Sequence, residues 1–316
     1  MTASPRFLVP LLACAISFVT AGAACGAQAY IIVDSKSGHV LEEHGAKDKR
    51  QVGSLTKVAT AMVVLDWAAQ NGGDLGQIAT VPPEAFTGVS ENLVGLQPGD
   101  TATLRDLLYA ALVQSDNIAA YTLANHVGQA LRAIVPPAGD GSPVALFVSQ
   151  MNALAKNLKM QRTQFVNPHG IDANVKPVPY STAMDMARLT RYAMNKAGFR
   201  FYVSQKERQI SFSRAGKRKD YLLRNTNELL GINGVEGVKT GRTARAGDCL
   251  ILSAQRAAEV IKHGPTSATV IPRHLIIVLL GSANRFGEGR QFLDQGWQLY
   301  DQWAANGRPL DPNKAL

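Results

Sequence analysis

The chain has 316 residues, long for one domain without forcing two, and a hydrophobic content of 46% lets it bury a sizeable core. Lysine and arginine outnumber aspartate and glutamate by 33 to 24, a formal net charge of +9. The basic residues are scattered, and the densest run, Arg214 to Lys219, has no interleaved aromatics, which argues against a nucleic-acid-binding protein and leaves other anionic surfaces open.

Taken in chain order, the first 24 residues have the layout of a signal peptide: Arg6 as a short positive region, an apolar stretch from Phe7 to Ala21, and small residues through Ala24. The apolar stretch is short for a membrane span, so an exported protein is expected, periplasmic or extracellular, and membrane-associated if the signal is retained. Neither Cys14 nor Cys25 sits well in a lipoprotein cleavage box. Cys249 lies in an apolar run and reads as a small buried hydrophobe, with a Cys25–Cys249 bridge left open. One folded domain is expected over residues 25–305, with 306–316 as a short tail.

Residues 30–44 place two β-prone runs around a Gly-containing turn, a hairpin signature. Ser54 to Ala69 is dense in Ala, Met, Val and Leu without Gly or Pro and predicts a mostly buried helix, stopped by Asn71-Gly72-Gly73. Residues 73–101 are rich in turn signals. Thr103 is the N-cap of a helix through Leu112, and further helices are predicted over 116–127 and 145–158, separated by a Pro/Gly-rich break at 135–143. Residues 207–212, 221–224, 235–240, 249–255 and 274–280 read as strands. A last helix over about 290–304 carries Phe292, Leu293, Trp297 and Tyr300 at helical spacing, a core stripe. Strands at both ends with helices between them predict an α+β fold: one antiparallel sheet of about five strands flanked by helices, plus an all-helical subdomain.

Three short motifs fall in these elements. Ser54-Leu55-Thr56-Lys57 opens the apolar helix, Ser115-Asp116-Asn117 lies between two helices, and Lys239-Thr240-Gly241 ends a strand. Each alone is weak; the three in this order and setting are specific. A serine needs an adjacent base to act as a nucleophile, and Lys57, one helical turn after Ser54, projects from the same face. Burial, together with a second cation such as Lys239, would lower the Lys57 pKa far enough for it to serve. Without the other motifs, Ser54 would read as a cap and Lys57 as a surface residue, but the helix is apolar nearly all round. Ser115 suits a proton relay to a leaving amine, and Asn117 suits a hold on the lysine or on a substrate amide. Lys239 offers a positive charge and Thr240 a hydroxyl donor for a carboxylate. Gly241 would let a substrate backbone approach the strand edge. His169, in the turn-forming run Asn167-Pro168-His169-Gly170, reads as a structural loop histidine. No histidine or cysteine spacing suggests a metal, and no glycine-rich phosphate loop suggests a nucleotide, so no cofactor is expected.

With these motifs, residues 30–300 resemble the D-alanyl-D-alanine carboxypeptidase family of low-molecular-mass penicillin-binding proteins. Gly95-Leu96-Gln97-Pro98-Gly99-Asp100, Thr163 through Gly170, and Asn225-Thr226-Asn227 with Leu229-Leu230 match its pattern. The resemblance implies a β-lactamase-like fold and an acyl-enzyme on Ser54, with Lys57 as proton acceptor and Ser115 and Asn117 completing the site. It also implies Lys239 holding the terminal D-alanine carboxylate, an oxyanion hole from the Ser54 and Arg242 backbone N–H groups, and Thr243 as a further substrate contact. Peptidoglycan pentapeptides or cross-linked peptides would be substrates, and β-lactams covalent inhibitors. Asp116 stands where many members have a small residue, and Ile118 where an Asp is common. The absence of an extra β-rich domain and amphipathic anchor after the last helix favours an enzyme without a stable membrane anchor.

Two other readings are weighed. A serine β-lactamase needs a deacylation base, and the Glu-x-x-Leu-Asn type of stretch that supplies it in class A enzymes is missing between 118 and 238. A non-catalytic wall-binding protein would have no use for a buried nucleophile–base pair.

Overall fold

The computed structural model describes residues 26–89, 91–132 and 141–316. The segment expected to be a signal peptide, Cys14, Cys25 and most of the Pro/Gly-rich break lie outside the described residues.

The first hairpin is β1 (Ala29–Asp34) and β2 (Val40–His44). It joins β7 (Val235–Thr243), β8 (Gly247–Lys262) and β9 (Ala268–Ser282) in a five-stranded antiparallel sheet of order β2-β1-β9-β8-β7. The first strand meets the last in register, Ile31 opposite Val278 and Val33 opposite Ile276, as expected from strands at the two chain ends.

Both faces of this sheet are covered. Ile31, Ile251, Ile276, Val278 and Leu280 face a large core shared with the helical lobe. Ile32, Leu250, Leu252, Ile277 and Leu279 face a smaller core closed by Phe292, Leu293, Trp297 and Tyr300 of α7 (Arg285–Ala305). Burial on both sides explains why Leu275 to Leu280 is a continuous apolar run without the alternation of a half-exposed strand.

The helical lobe contains α1 (Lys57–Gln70), α2 (Leu104–Val113), α3 (Asn117–Arg132) and α4 (Pro143–Asn157). Thr103 caps α2 as expected, its side chain accepting from the Asp106 N–H at 3.0 Å. The predicted helix over 54–69 begins instead as a 3-10 turn, Gly53–Thr56, so Ser54 stands one turn ahead of α1. Two more helices, α5 (Ala183–Met194) and α6 (Ala197–Val203), occupy a stretch where the sequence reading places no element. A capping signal was present there: the Thr182 side chain accepts from the Asp185 N–H at 3.0 Å.

The lobe is not all-helical. It carries a second sheet of order β3-β4-β5-β6, with β3 (Ile78–Thr80), β4 (Thr101–Thr103), β5 (Glu207–Arg214) and β6 (Lys217–Arg224). The strands expected at 207–212 and 221–224 therefore belong to this sheet, not to the main one. Strands of three residues show no periodicity, so the pairing of β3 with β4, and of β4 with β5, leaves no trace in the sequence.

Strands β8 and β9 continue beyond the sheet as an exposed two-stranded ribbon. Arg256 and Arg273 clasp its base to α7 through Asp301 and the face of Trp297. The C-terminal residues fold back: Leu316 N–H donates to Gly38 O, and the His39 ring stacks on Trp303. Cys249 is buried, and burial pushes its thiol up to about 11, in keeping with a packing role.

Candidate active site

Lys57 is fully buried, and its ammonium nitrogen has three partners. Nζ donates to Ser54 Oγ at 2.9 Å, to Asn117 Oδ1 at 2.7 Å and to the His169 carbonyl at 3.0 Å. Burial lowers its pKa to about 7, while Asp116 and Glu91 push the other way. Desolvation is the leading cause. Lys239 is shifted in the same direction, its pKa lowered well below the usual value by burial first, then by Lys57 and Arg285, and the repulsion between the two lysines disfavours charging both.

The partner set determines what a neutral Lys57 can do. An amine has two N–H groups and one lone pair. Asn117 Oδ1 and the His169 carbonyl can only accept, so they take the two N–H groups. The lone pair is left for Ser54 Oγ, the one partner with a proton to give.

Backbone packing sets the serine in place. A Cβ on Gly241 would meet Val52 O at 2.8 Å, Leu55 N at 3.1 Å and Ser54 N at 3.2 Å. Its bare Cα thus makes room for the nucleophile's own turn, a different use from the substrate approach expected of it. A Cβ on Gly170, whose φ is +89°, would lie 1.9 Å from Gly53 O. Gly53 in turn lies against the Arg242 N–H, since a Cβ there would approach that nitrogen to 3.2 Å. The Ser54 and Arg242 amides therefore share one junction between the 3-10 turn and β7.

The second motif forms the corner between α2 and α3. Ser115 has φ +69°, a left-handed conformation that costs a non-glycine residue energy. Asp116 is fully buried and accepts from Ala119 N–H at 2.8 Å and Val94 N–H at 3.0 Å. The residue that departs from the family pattern thus caps α3 and ties down the loop before Gly95. Gln114 braces the corner from outside, donating to Tyr221 Oη at 2.7 Å and accepting from Arg224 N–H at 3.2 Å.

In the third motif, Lys239 Nζ donates to Thr240 O at 2.9 Å, and the Thr240 hydroxyl lies 2.7 Å from that of Thr226. The structure brings Ser54, Lys57 and Asn117 together by hydrogen bonds, with Ser115 two residues from Asn117. The side chains of Arg242, expected to contribute its backbone N–H, and of Thr243 are engaged with other partners. Arg242 is 77% exposed and pairs with Asp248 at 3.5 Å. The Thr243 hydroxyl donates to Asp172 at 2.6 Å and accepts from Ala246 N–H at 2.9 Å.

Sequence reading missed the contacts made by the His169 carbonyl, Gln114 and Asp172, and the pairing of Thr226 with Thr240. A backbone carbonyl has no letter, so only the turn-forming run around His169 could have hinted at it. The His169 ring is buried, and burial first, then Lys57, lowers its pKa to about 3. It stays neutral, as fits a structural histidine. Among the described residues there is no cluster of three groups able to hold a metal.

Comparison with known proteins points the same way. The D-alanyl-D-alanine carboxypeptidase family matches residues 17–262. The chain is 32% identical over 285 residues to the D-alanyl-D-alanine carboxypeptidase DacC of Escherichia coli, covering 87% of this chain and 62% of that protein. It is 30% identical over 226 residues to a D-alanyl-D-alanine endopeptidase of Pseudomonas aeruginosa, covering 70% of this chain and 65% of the relative. The crystal structure of the Streptomyces K15 DD-transpeptidase superposes with a TM-score of 0.71 at 27% identity, covering 87% of this chain and 98% of that one. A family match over most of the chain, a shared fold, and two motifs bonded through one buried lysine with the third packed on the Ser54 turn lead to one conclusion: this chain belongs to the D-alanyl-D-alanine carboxypeptidase family.

Proposed function

We propose that the protein is a serine-type D-alanyl-D-alanine peptidase acting on peptidoglycan stem peptides, as a carboxypeptidase on free pentapeptides or an endopeptidase on cross-links. The observation that carries this reading is the buried Lys57, held by two obligate acceptors with its third position on Ser54 Oγ. In the proposed reaction, Ser54 Oγ attacks the carbonyl carbon of the penultimate D-alanine and passes its proton to Lys57 Nζ. The Ser54 and Arg242 N–H groups stabilise the oxyanion. The C–N bond breaks as the leaving amine takes a proton, relayed through Ser115, and Lys239 and Thr240 hold its carboxylate. Water then hydrolyses the ester on Ser54.

The domain division proposed is a signal peptide over 1–24, a catalytic domain over 25–305 and a short tail. Export to the periplasm or medium is part of the proposal. No helix among the described residues is long and apolar enough to cross a membrane. β-Lactams, as cyclic acyl donors, are proposed as covalent inhibitors.

The test is intact-mass spectrometry after brief exposure to benzylpenicillin, with Ser54→Ala alongside. The expected result is a stable adduct on the wild type only. Hydrolysed penicillin with no adduct would instead make the protein a β-lactamase, and intact penicillin with no adduct would favour the wall-binding alternative.

A further inference from the structure

Thr226 lies between β6 and β7, outside the three motifs. Its backbone N–H donates to Val113 O at 3.1 Å, pinning it to the end of α2, two residues before Ser115. Its hydroxyl sits 2.7 Å from the hydroxyl of Thr240, which is 4% exposed. Thr240 immediately precedes Gly241, the residue packed against the Ser54 N–H. Thr226 thus ties the third motif to the end of α2, by its hydroxyl to Thr240 and by its backbone N–H to Val113.

Each hydroxyl has one proton to donate, so the direction of this bond decides what else Thr240 can do. If Thr240 donates to Thr226, it has only lone pairs left and repels a carboxylate. If Thr226 donates to Thr240, the Thr240 proton is free to point at an incoming anion, and the bond it then makes is strengthened by the one behind it. An ionised carboxylate is acceptor-only, so the second direction is the one it requires. Lys239 supplies charge but little direction, because an ammonium is a point charge on a flexible stem.

We propose that Thr226 is a positioning residue: by donating its hydroxyl proton to Thr240 Oγ1, it makes the Thr240 hydroxyl a donor toward the carboxylate of the leaving group. It therefore sets the preference for acyl donors whose leaving group is anionic. The proposal rests on the peptidase reading above and deepens it. Thr226 does not touch the reacting atoms; it acts through Thr240.

Two thioester acyl donors test it, one with a carboxylate on the leaving thiol and the other its methyl ester. Thioesters are reactive enough for both to be read by acyl-enzyme formation. The Thr226→Val variant, near in shape but without the hydroxyl, is expected to acylate about tenfold more slowly with the carboxylate donor, the scale of one hydrogen bond to a charged group. Its rate with the methyl ester stays within twofold of wild type, and Thr226→Ser restores the carboxylate preference. Equal loss on both donors means that Thr226 only supports the fold, and no loss on either means that the relay does not exist; both overturn the proposal. A wild-type protein that forms no acyl-enzyme with either donor overturns the peptidase reading itself, a result separate from either of those.

Discussion

Strands β8 and β9 serve two contrasting regions of this molecule. Within the main sheet they are buried on both faces and back the β7 edge that meets the Ser54 turn. Beyond Gln255 the same two strands leave the sheet as a ribbon, with Val260 and Val270 more than half exposed. In the first region backbone lies on backbone with no room for a Cβ, and the Lys57 amine is fully buried. In the second, surface pairs such as Arg256–Asp301 and Arg308–Glu259 do the holding. The contrast is one of burial: the turn that carries Ser54 packs backbone against backbone beside a buried lysine, while the ribbon is held from its surface.

The predictions break or sharpen that contrast. Ser54→Ala is expected to abolish acylation, a loss of four orders of magnitude or more on the scale of nucleophile deletions in serine hydrolases. Retained acylation, seen by intact mass, would place the nucleophile elsewhere.

Gly170→Ala strikes the packing itself. A methyl 1.9 Å from Gly53 O, at a φ of +89°, forces the two loops apart. The expected cost is about 3 kcal/mol or more of stability together with most of the acylation rate. A thermal melt within a degree of wild type would mean that the junction is looser than it looks.

The Lys57 proton gives a pH profile with a definite sign. The folded-state pKa is lowered to about 7, so the base form is present above that value and lost below it. Acylation should be level above about pH 8 and fall about tenfold per unit below about 7. The same shift makes folding more favourable as pH rises from about 7 toward the unfolded lysine value of about 10.4, because the unfolded chain holds the extra proton in that window. A rate flat down to pH 5 would rule Lys57 out as the base.

Gln114→Ala should loosen the Ser115 corner without emptying the site, costing about tenfold in acylation and about 1 kcal/mol of stability for its lost side-chain hydrogen bonds. The smallest effect belongs to the ribbon. Asp301→Ala removes exposed ion pairs and should cost less than about 1 kcal/mol, with acylation unchanged. A larger loss, or any change in acylation rate, would show the ribbon to be coupled to the site.

The outcome for each element follows from how local its cause is. The hairpin at β1 and β2, the cap at Thr103 and the aromatic stripe of α7 are written in nearest-neighbour patterns, and all three were legible. Helix α5 was equally local, with Thr182 and Asp185 at its start, and was passed over. β3 and β4 are three-residue strands that pair with each other, and the pairing of β4 with β5 depends on residues more than a hundred positions away. In the site, Ser54, Lys57 and Asn117 were legible because side-chain chemistry names them. The His169 carbonyl was not, because every residue carries one.

By itself, then, the sequence determined the sheet with its flanking helices, the three motifs and a serine set one helical turn before a lysine, since these depend on residue type and spacing along the chain. Only the tertiary structure decided that Lys57 is buried completely enough for desolvation to bring its pKa to about 7. It alone set the Lys57 acceptors, the packing of Gly241 on the serine's turn, and the pairing of Thr226 with Thr240. Each of these is a distance between residues far apart in the chain, and no local pattern encodes such a distance.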